Sequence, residues 1–201
     1  MKTKDFFENS PYPGEMLPYE RYKLYNWVLE LKPKNIIEIG CGLGGGSSYY
    51  MVEAIKENNK GMIYSCDPGR MMSNELLSKN VGRLKYYKIN STDLIKYMIS
   101  ENIIPDFLFF DGPEQPEVAL NDIKELEKHI TDGTYFSMHD WDTCVRKYDN
   151  GVSIKSLLIR EYIEKSENWE LVECLSSEIK NSEYDDMEFD SVGLCLYKYN
   201  K

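Results

Sequence analysis

Three carboxylates stand directly after short apolar runs, where a strand would deliver them to one edge of a sheet. Asp67 closes Met62-Ile63-Tyr64-Ser65-Cys66, Asp111 closes Phe107-Leu108-Phe109-Phe110, and His139-Asp140 closes Tyr135-Phe136-Ser137-Met138. If the last two runs are neighbouring parallel strands, Asp111 and Asp140 meet on the same side. Such a pair suits an octahedral Mg²⁺ that keeps positions for water and substrate. A metal held there would grip a substrate oxygen, lower its pKa and orient it. His139 offers a second chemistry, removal of a proton from an attacking hydroxyl near neutral pH, with Asp140 as the competing base.

The fourth acid, Glu38, lies in Ile36-Ile37-Glu38-Ile39 just before the glycine-dense turn Gly40-Cys41-Gly42-Leu43-Gly44-Gly45-Gly46-Ser47. Alternating glycines let backbone approach a bound ligand closely. The order strand, glycine turn, helix start is the one nucleotide-like ligands use. Two ligand classes fit it, because Gly40-x-Gly42-x-x-Gly45 also satisfies the dinucleotide pattern. Glu38 opposes a pyrophosphate and favours a ligand carrying ammonium and sulfonium charges, by about 1 to 4 kcal/mol at 4 Å. Asp67 sits where an acid accepts ribose hydroxyls, although Asp67-Pro68-Gly69 also reads as a turn start.

These residues need a scaffold, and the apolar pattern supplies one. Strands are predicted over residues 36–39, 62–66, 84–89, 107–110 and 135–138, with helices between them. The clearest helical stripe is Ala119, Ile123, Leu126 and Ile130, and Ser91-Thr92-Asp93 reads as a helix start. A helix ahead of the first strand runs to Leu31 and stops before Pro33. Alternation of this kind means βαβ units, a largely parallel sheet and helices on both faces. The tail differs: a helix over residues 154–165, then strands over 169–175 and 192–199 with no helix between, which form an antiparallel hairpin. The six acids within residues 176–190 lack an EF-hand register and read as a solvated connection.

Bulk properties narrow the partners. The chain has 201 residues, 42% hydrophobic, with 24 Lys plus Arg against 34 acids, a net charge of −10. That balance opposes nucleic acid and anionic membranes as partners. No apolar segment approaches a membrane span or a secretion signal, so a cytoplasmic location is expected. Five scattered cysteines without CxxC spacing read as reduced thiols rather than a zinc site. Residues 1–34 are expected to form a helical, substrate-covering segment and residues 35–201 a single cofactor-binding domain. A small-molecule substrate is the expected partner, with a homo-oligomer left open.

From Ile36 to Tyr199 the ordered set resembles the class I S-adenosylmethionine-dependent methyltransferases. Glu38-x-Gly40-x-Gly42-x-Gly44 is similar to their first motif, Asp67 to their ribose acid, and the terminal hairpin to their antiparallel seventh strand. The resemblance implies an α/β, Rossmann-like, doubly wound sheet of seven strands. It also implies S-adenosylmethionine held by Glu38, Gly40, Cys41, Gly42, Gly44, Ser47, Asp67, Thr92, Asp93 and Asp111. Asp111-Gly112 together with Asp140 resembles the small-molecule O-methyltransferases of macrocin and catechol type, with Asp111, His139 and Asp140 catalytic and Mg²⁺ on Asp111 and Asp140. The substrate class this implies is a hydroxyl on a sugar or glycosylated metabolite. Trp141 follows Asp140 where metal-dependent relatives carry Asp or Asn, and Asp111-Gly112-Pro113-Glu114 lacks a histidine-containing continuation, so metal dependence stays open. Tyr12, Tyr19 and Trp141 are candidates to stack on the substrate, and Arg146 and Lys147 to hold an anion. Two other readings stay open: an NAD(P)-dependent oxidoreductase, and a module that binds S-adenosylmethionine without turnover.

Overall fold

A computed structural model describes residues 2–112, 115–141, 154–175 and 193–201. The elements run α1 (Lys4–Glu8), α2 (Pro18–Leu31), β1 (Asn35–Ile39), α3 (Ser48–Glu57), β2 (Met62–Cys66), α4 (Asn74–Lys79) and β3 (Leu84–Tyr87). Then follow α5 (Ser91–Ser100), β4 (Phe107–Phe110), α6 (Pro116–Leu126), β5 (Tyr135–His139), a 3₁₀ turn (Ile154–Ser156), α7 (Leu157–Glu164), β6 (Trp169–Leu175) and β7 (Leu194–Tyr199). The seven strands form one sheet in the order β3-β2-β1-β4-β5-β7-β6. The first five are parallel; β7 runs antiparallel to both β5 and β6. This is the expected mostly parallel, doubly wound α/β sheet with an antiparallel terminal hairpin.

The central strands are apolar on both faces because both faces are covered. Side chains alternate across the sheet, so Ile36, Phe107 and Phe109 join a core with α2 and α3. Ile37, Leu108 and Phe110 join a second core with α5, α6 and α7. Helix α2 opens at Pro18, whose fixed φ suits a first helical position, and closes at Lys32 in the left-handed region (φ 52°), ahead of Pro33. Phe7 of α1 meets Tyr22 and Tyr25 of α2 edge-on and stacks on Tyr50 of α3, and all four rings share one core cluster. The N-terminal segment therefore shares the core of the sheet domain. Helix α5 is capped one residue earlier than the sequence suggests: Asn90, not Ser91, accepts from the Asp93 backbone N–H at 2.9 Å. Among the described residues, no helix is long and apolar enough to cross a membrane.

Register decides what this scaffold delivers. Ile39 pairs with both Cys66 and Phe110, and Phe110 pairs with Met138. The next residue of each strand is Gly40, Asp67, Asp111 and His139, so these four leave the sheet side by side at its carboxyl edge. Neighbouring strands lie about 4.8 Å apart, which sets the spacing of the row. The edge also contains the β1/β4 switch point, where α/β sheets open a crevice.

Candidate active site

A cleft of about 910 Å³ lies over this row of strand ends. Of the residues expected to bind or react, Gly40, Gly42, Asp67, Thr92, Asp93, Asp111, His139 and Asp140 line it. Glu38, Cys41, Gly44 and Ser47 do not, and each has a structural reason.

Glu38 is fully buried on β1. Its Oε1 accepts from Ser47 Oγ at 2.5 Å and its Oε2 from Ser48 Oγ at 2.7 Å and from Ser65 Oγ. Ser65 is its register partner on β2. Burial raises the Glu38 pKa against the pull of these three hydroxyls. The expectation that Glu38 faces a cationic ligand is therefore corrected: it ties β1, β2 and the start of α3 together beneath the glycine turn. Ser47 is part of that tie. Cys41 is buried, and burial pushes its thiol pKa up. Gly44, at φ 93°, sits where a Cβ would come within 2.6 Å of Leu76.

Gly40 and Gly42 are the glycines that shape the cleft. At Gly40 (φ 82°) a Cβ would lie 2.7 Å from the Asp111 backbone, so only glycine allows β1 and β4 to close at this point. Gly42 (φ 55°) is open by contrast: a Cβ there meets only the Arg70 side chain, at 3.6 Å. Its backbone N–H donates to Asp67 Oδ2 at 2.9 Å, while Asp67 Oδ1 accepts from Gly69 and Arg70 backbone N–H groups. Gly45, the third glycine of the dinucleotide pattern, is pressed against the Tyr12 and Pro13 carbonyls rather than a ligand. Across the cleft, Thr92 Oγ1 donates to the buried Asp122 at 2.9 Å.

The reacting end is a compact charge cluster. His139 is 5% exposed, with Nδ1 3.2 Å from Asp111 Oδ1 and Nε2 2.9 Å from Glu20 Oε2. Glu20 is fully buried and also accepts from the Leu17 backbone N–H at 3.0 Å. Burial alone would lower the His139 pKa, yet Asp111 and Glu20 carry it well above its ordinary value. Both nitrogens thus face carboxylates, an arrangement that favours the imidazolium, a form with no lone pair for accepting a proton.

Lys155, 2% exposed in the 3₁₀ turn, sends Nζ to Asp111 Oδ1 at 2.6 Å and to Asp140 Oδ2. Burial works against all three charges. Even so, His139 and Lys155 hold Asp111 below its usual range and Asp140 well below it, and the two aspartates raise the Lys155 pKa. Asp140 adopts φ 55°, uncommon for a residue with a Cβ.

Oxygen and imidazole ligands for a metal are gathered here: Asp111, His139 and Asp140 offer atoms within 4.8 Å of one another. They do not fit a divalent ion as they stand, because the Lys155 ammonium already bridges the two carboxylates. A dication about 3 Å from that ammonium would feel on the order of 10 kcal/mol of repulsion from it at an effective dielectric constant near 20, set against its attraction to the two carboxylates. The cleft does suit a flat, cationic, ribose-bearing ligand, given the open cradle at Gly42, the Asp67 carboxylate and the acidic row beyond.

Tyr12, Tyr19 and Trp141 are buried packing residues, which corrects their expected stacking on substrate. Trp141 lies against Phe136, Tyr197 and the Arg160 guanidinium. Arg146 and Lys147 lie outside the described residues. Glu20 and Lys155 were not singled out from sequence. An acid in a helix's first turn ordinarily complements the helix dipole, and a lone lysine ordinarily meets water, so neither carried a signal.

A sequence profile described as a methyltransferase domain matches residues 37–141. No curated protein matches the chain in sequence. Among solved structures, a Klebsiella pneumoniae protein provisionally assigned as an O-methyltransferase superposes with TM-score 0.68 at 16% identity, over 98% of this chain and 87% of that one. The O-methyltransferase TomG of Streptomyces achromogenes, involved in tomaymycin synthesis and solved with S-adenosylmethionine, gives 0.67 at 14%, over 94% and 82%. An O-methyltransferase from Bacillus cereus, solved with S-adenosylhomocysteine, gives 0.63 at 16%, over 92% and 82%.

Proposed function

We propose, from the premise that this chain belongs to the methyltransferase-domain family and is a class I S-adenosylmethionine-dependent methyltransferase, that it methylates a hydroxyl of a small molecule in the cytoplasm, a sugar or glycosylated metabolite. The observation that carries this reading is the shared cleft: the glycine turn and Asp67 wall one end, and Asp111, His139, Asp140 and Lys155 the other. An end lined by carboxylates and two cations suits an oxygen nucleophile that must shed a proton. The net charge of −10 favours a small substrate over nucleic acid.

When bound, S-adenosylmethionine supplies an electrophilic methyl group on a sulfonium. In this reading Gly40 and Gly42 offer backbone to the cofactor, Asp67 takes a ribose hydroxyl on its remaining lone pairs, and Thr92 and Asp93 border the base. The acidic row favours a cationic ligand. Residues 1–34 cover the substrate side and contribute Glu15 and Glu20, while residues 35–201 bind the cofactor. The largest contribution is alignment, since holding two reactants in a near-attack geometry supplies about 7 to 11 kcal/mol.

Asp111 is the proton acceptor in this scheme. Its contacts to His139 and Lys155 both fall on Oδ1, so among the described residues Oδ2 keeps its lone pairs. A carboxylate of low pKa is a sufficient base here, because a hydroxyl oxygen becomes strongly acidic as it gains a methyl group.

Incubation with S-adenosylmethionine and a pool of hydroxylated metabolites, followed by mass spectrometry, tests the proposal. A product heavier by one methylene, formed in step with S-adenosylhomocysteine and localised to oxygen, is expected. Methylation at nitrogen or carbon, or no product from a sample that binds S-adenosylhomocysteine, would overturn it.

A further inference from the structure

We infer that Lys155 is a tethered replacement for a divalent cation: its ammonium holds Asp111 and Asp140 together and presents an N–H to the substrate oxygen, so methyl transfer here needs no metal. The inference deepens the hydroxyl-methylation reading and rests on it for the identity of that oxygen. Its geometric basis is independent of substrate.

Three observations support it. Nζ is within hydrogen-bond distance of both carboxylates that a metal would share, one of them at 2.6 Å. The side chain is 2% exposed although it carries a charge, and lysine is almost never buried unless paired. Among the described residues its third N–H meets the Asp111 carbonyl, 3.3 Å away, so a better acceptor entering the cleft can recruit it. Lys155 borders the same cleft as Asp67 and Gly42, so that acceptor would arrive from the cofactor side. An ammonium has three directed donors and no vacant coordination position. It fixes one lone pair of the substrate oxygen and leaves another to attack.

The step balances within the cluster. As the substrate oxygen bonds to the methyl carbon, the carbon–sulfur bond breaks with its electron pair on sulfur, and the hydroxyl proton passes to Asp111. Lys155 keeps its own proton throughout. Its charge offsets the Asp111 and Asp140 carboxylates while the imidazolium of His139 is held by Glu20.

The test titrates Mn²⁺ against the full-length protein, following loss of the free-ion electron paramagnetic resonance signal, with S-adenosylhomocysteine calorimetry as the control for folding. Wild type is expected to leave the Mn²⁺ signal unchanged and to keep its methyl-transfer rate in excess EDTA. Lys155→Ala is expected to gain a Mn²⁺ site that the added Asp140→Asn change removes. It should also lose about 10²- to 10³-fold in kcat, the usual size for removing a donor to the reacting oxygen, with S-adenosylhomocysteine affinity unchanged. Lys155→Arg, which keeps the charge, should recover part of that rate.

Stoichiometric Mn²⁺ uptake by wild type that Asp140→Asn abolishes, EDTA-sensitive turnover, or a folded Lys155→Ala protein that takes up no Mn²⁺ would each overturn the inference. If Lys155→Ala does not fold, the wild-type Mn²⁺ and EDTA results decide. The Mn²⁺ pattern needs no substrate, so it can hold even if methylation proves to fall on an atom other than oxygen.

Discussion

Glu20, in the first turn of α2, lies 2.9 Å from Nε2 of His139 at the end of β5, with 119 positions of sequence separating them. Both are buried, so the N-terminal segment is joined to the reacting end of the sheet by a charge-assisted hydrogen bond rather than by apolar packing alone. Breaking a buried pair by removing one partner typically costs about 3 to 5 kcal/mol. Glu20→Gln should therefore lower the unfolding free energy at pH 6 by an amount in that range, read as a lower urea midpoint at an unchanged m-value. A loss below about 1 kcal/mol, the level of an exposed pair, would show that the contact is not formed in solution.

The pH dependence has a definite sign. His139 titrates higher in the folded chain than its ordinary value, so the stability it contributes is complete below about pH 6.5 and is lost as pH rises through its folded pKa. Asp140 acts oppositely: its carboxyl is depressed, so its contribution is present above about pH 4 and is lost as pH falls through the depressed value. Imidazole ¹⁵N chemical shifts should report a doubly protonated His139 at pH 7. A neutral tautomer at that pH would return His139 to consideration as the base.

Glu38→Gln distinguishes a buried tie from a ligand contact. Because the carboxylate is enclosed by three serine hydroxyls, the substitution should reduce thermal stability while changing S-adenosylhomocysteine affinity less than about fivefold, or roughly 1 kcal/mol. A loss beyond about a hundredfold would mean that Glu38 touches the cofactor.

Asp67→Ala should do the reverse. Hydrogen bonds to a charged group are worth about 1.5 to 3 kcal/mol each, so affinity for S-adenosylhomocysteine should fall by roughly ten- to a hundredfold in calorimetry. Unchanged affinity would leave Asp67 as a turn residue only.

Trp141→Ala should cost about 3 to 5 kcal/mol in chemical denaturation, the usual range for emptying an aromatic core site. Trp141→Phe, which keeps most of the packing, should leave substrate KM within about twofold. A large rise in KM with intact stability would restore the stacking role.

Periodicity made the scaffold legible. The runs ending at Ile39, Cys66, Phe110 and Met138 are apolar on both faces, and their order with amphipathic helices allows few topologies. The same runs located Asp67, Asp111 and His139-Asp140, because the residue after a strand has one place to go when register is shared. Local pattern was silent on enclosure. Glu38 looks the same in sequence whether it faces a ligand or three hydroxyls, and Trp141 looks the same on a rim or in a core.

What the amino-acid order determined by itself was therefore the sheet, its helices and the row of chemistry-bearing residues at one edge, since these follow from spacing along single strands. Tertiary structure alone decided the charge state and partners of that row. Glu20 enters from α2 and Lys155 from the turn before α7, and the pKa of a buried group depends on which charges lie within a few ångströms, however far apart they stand in the chain.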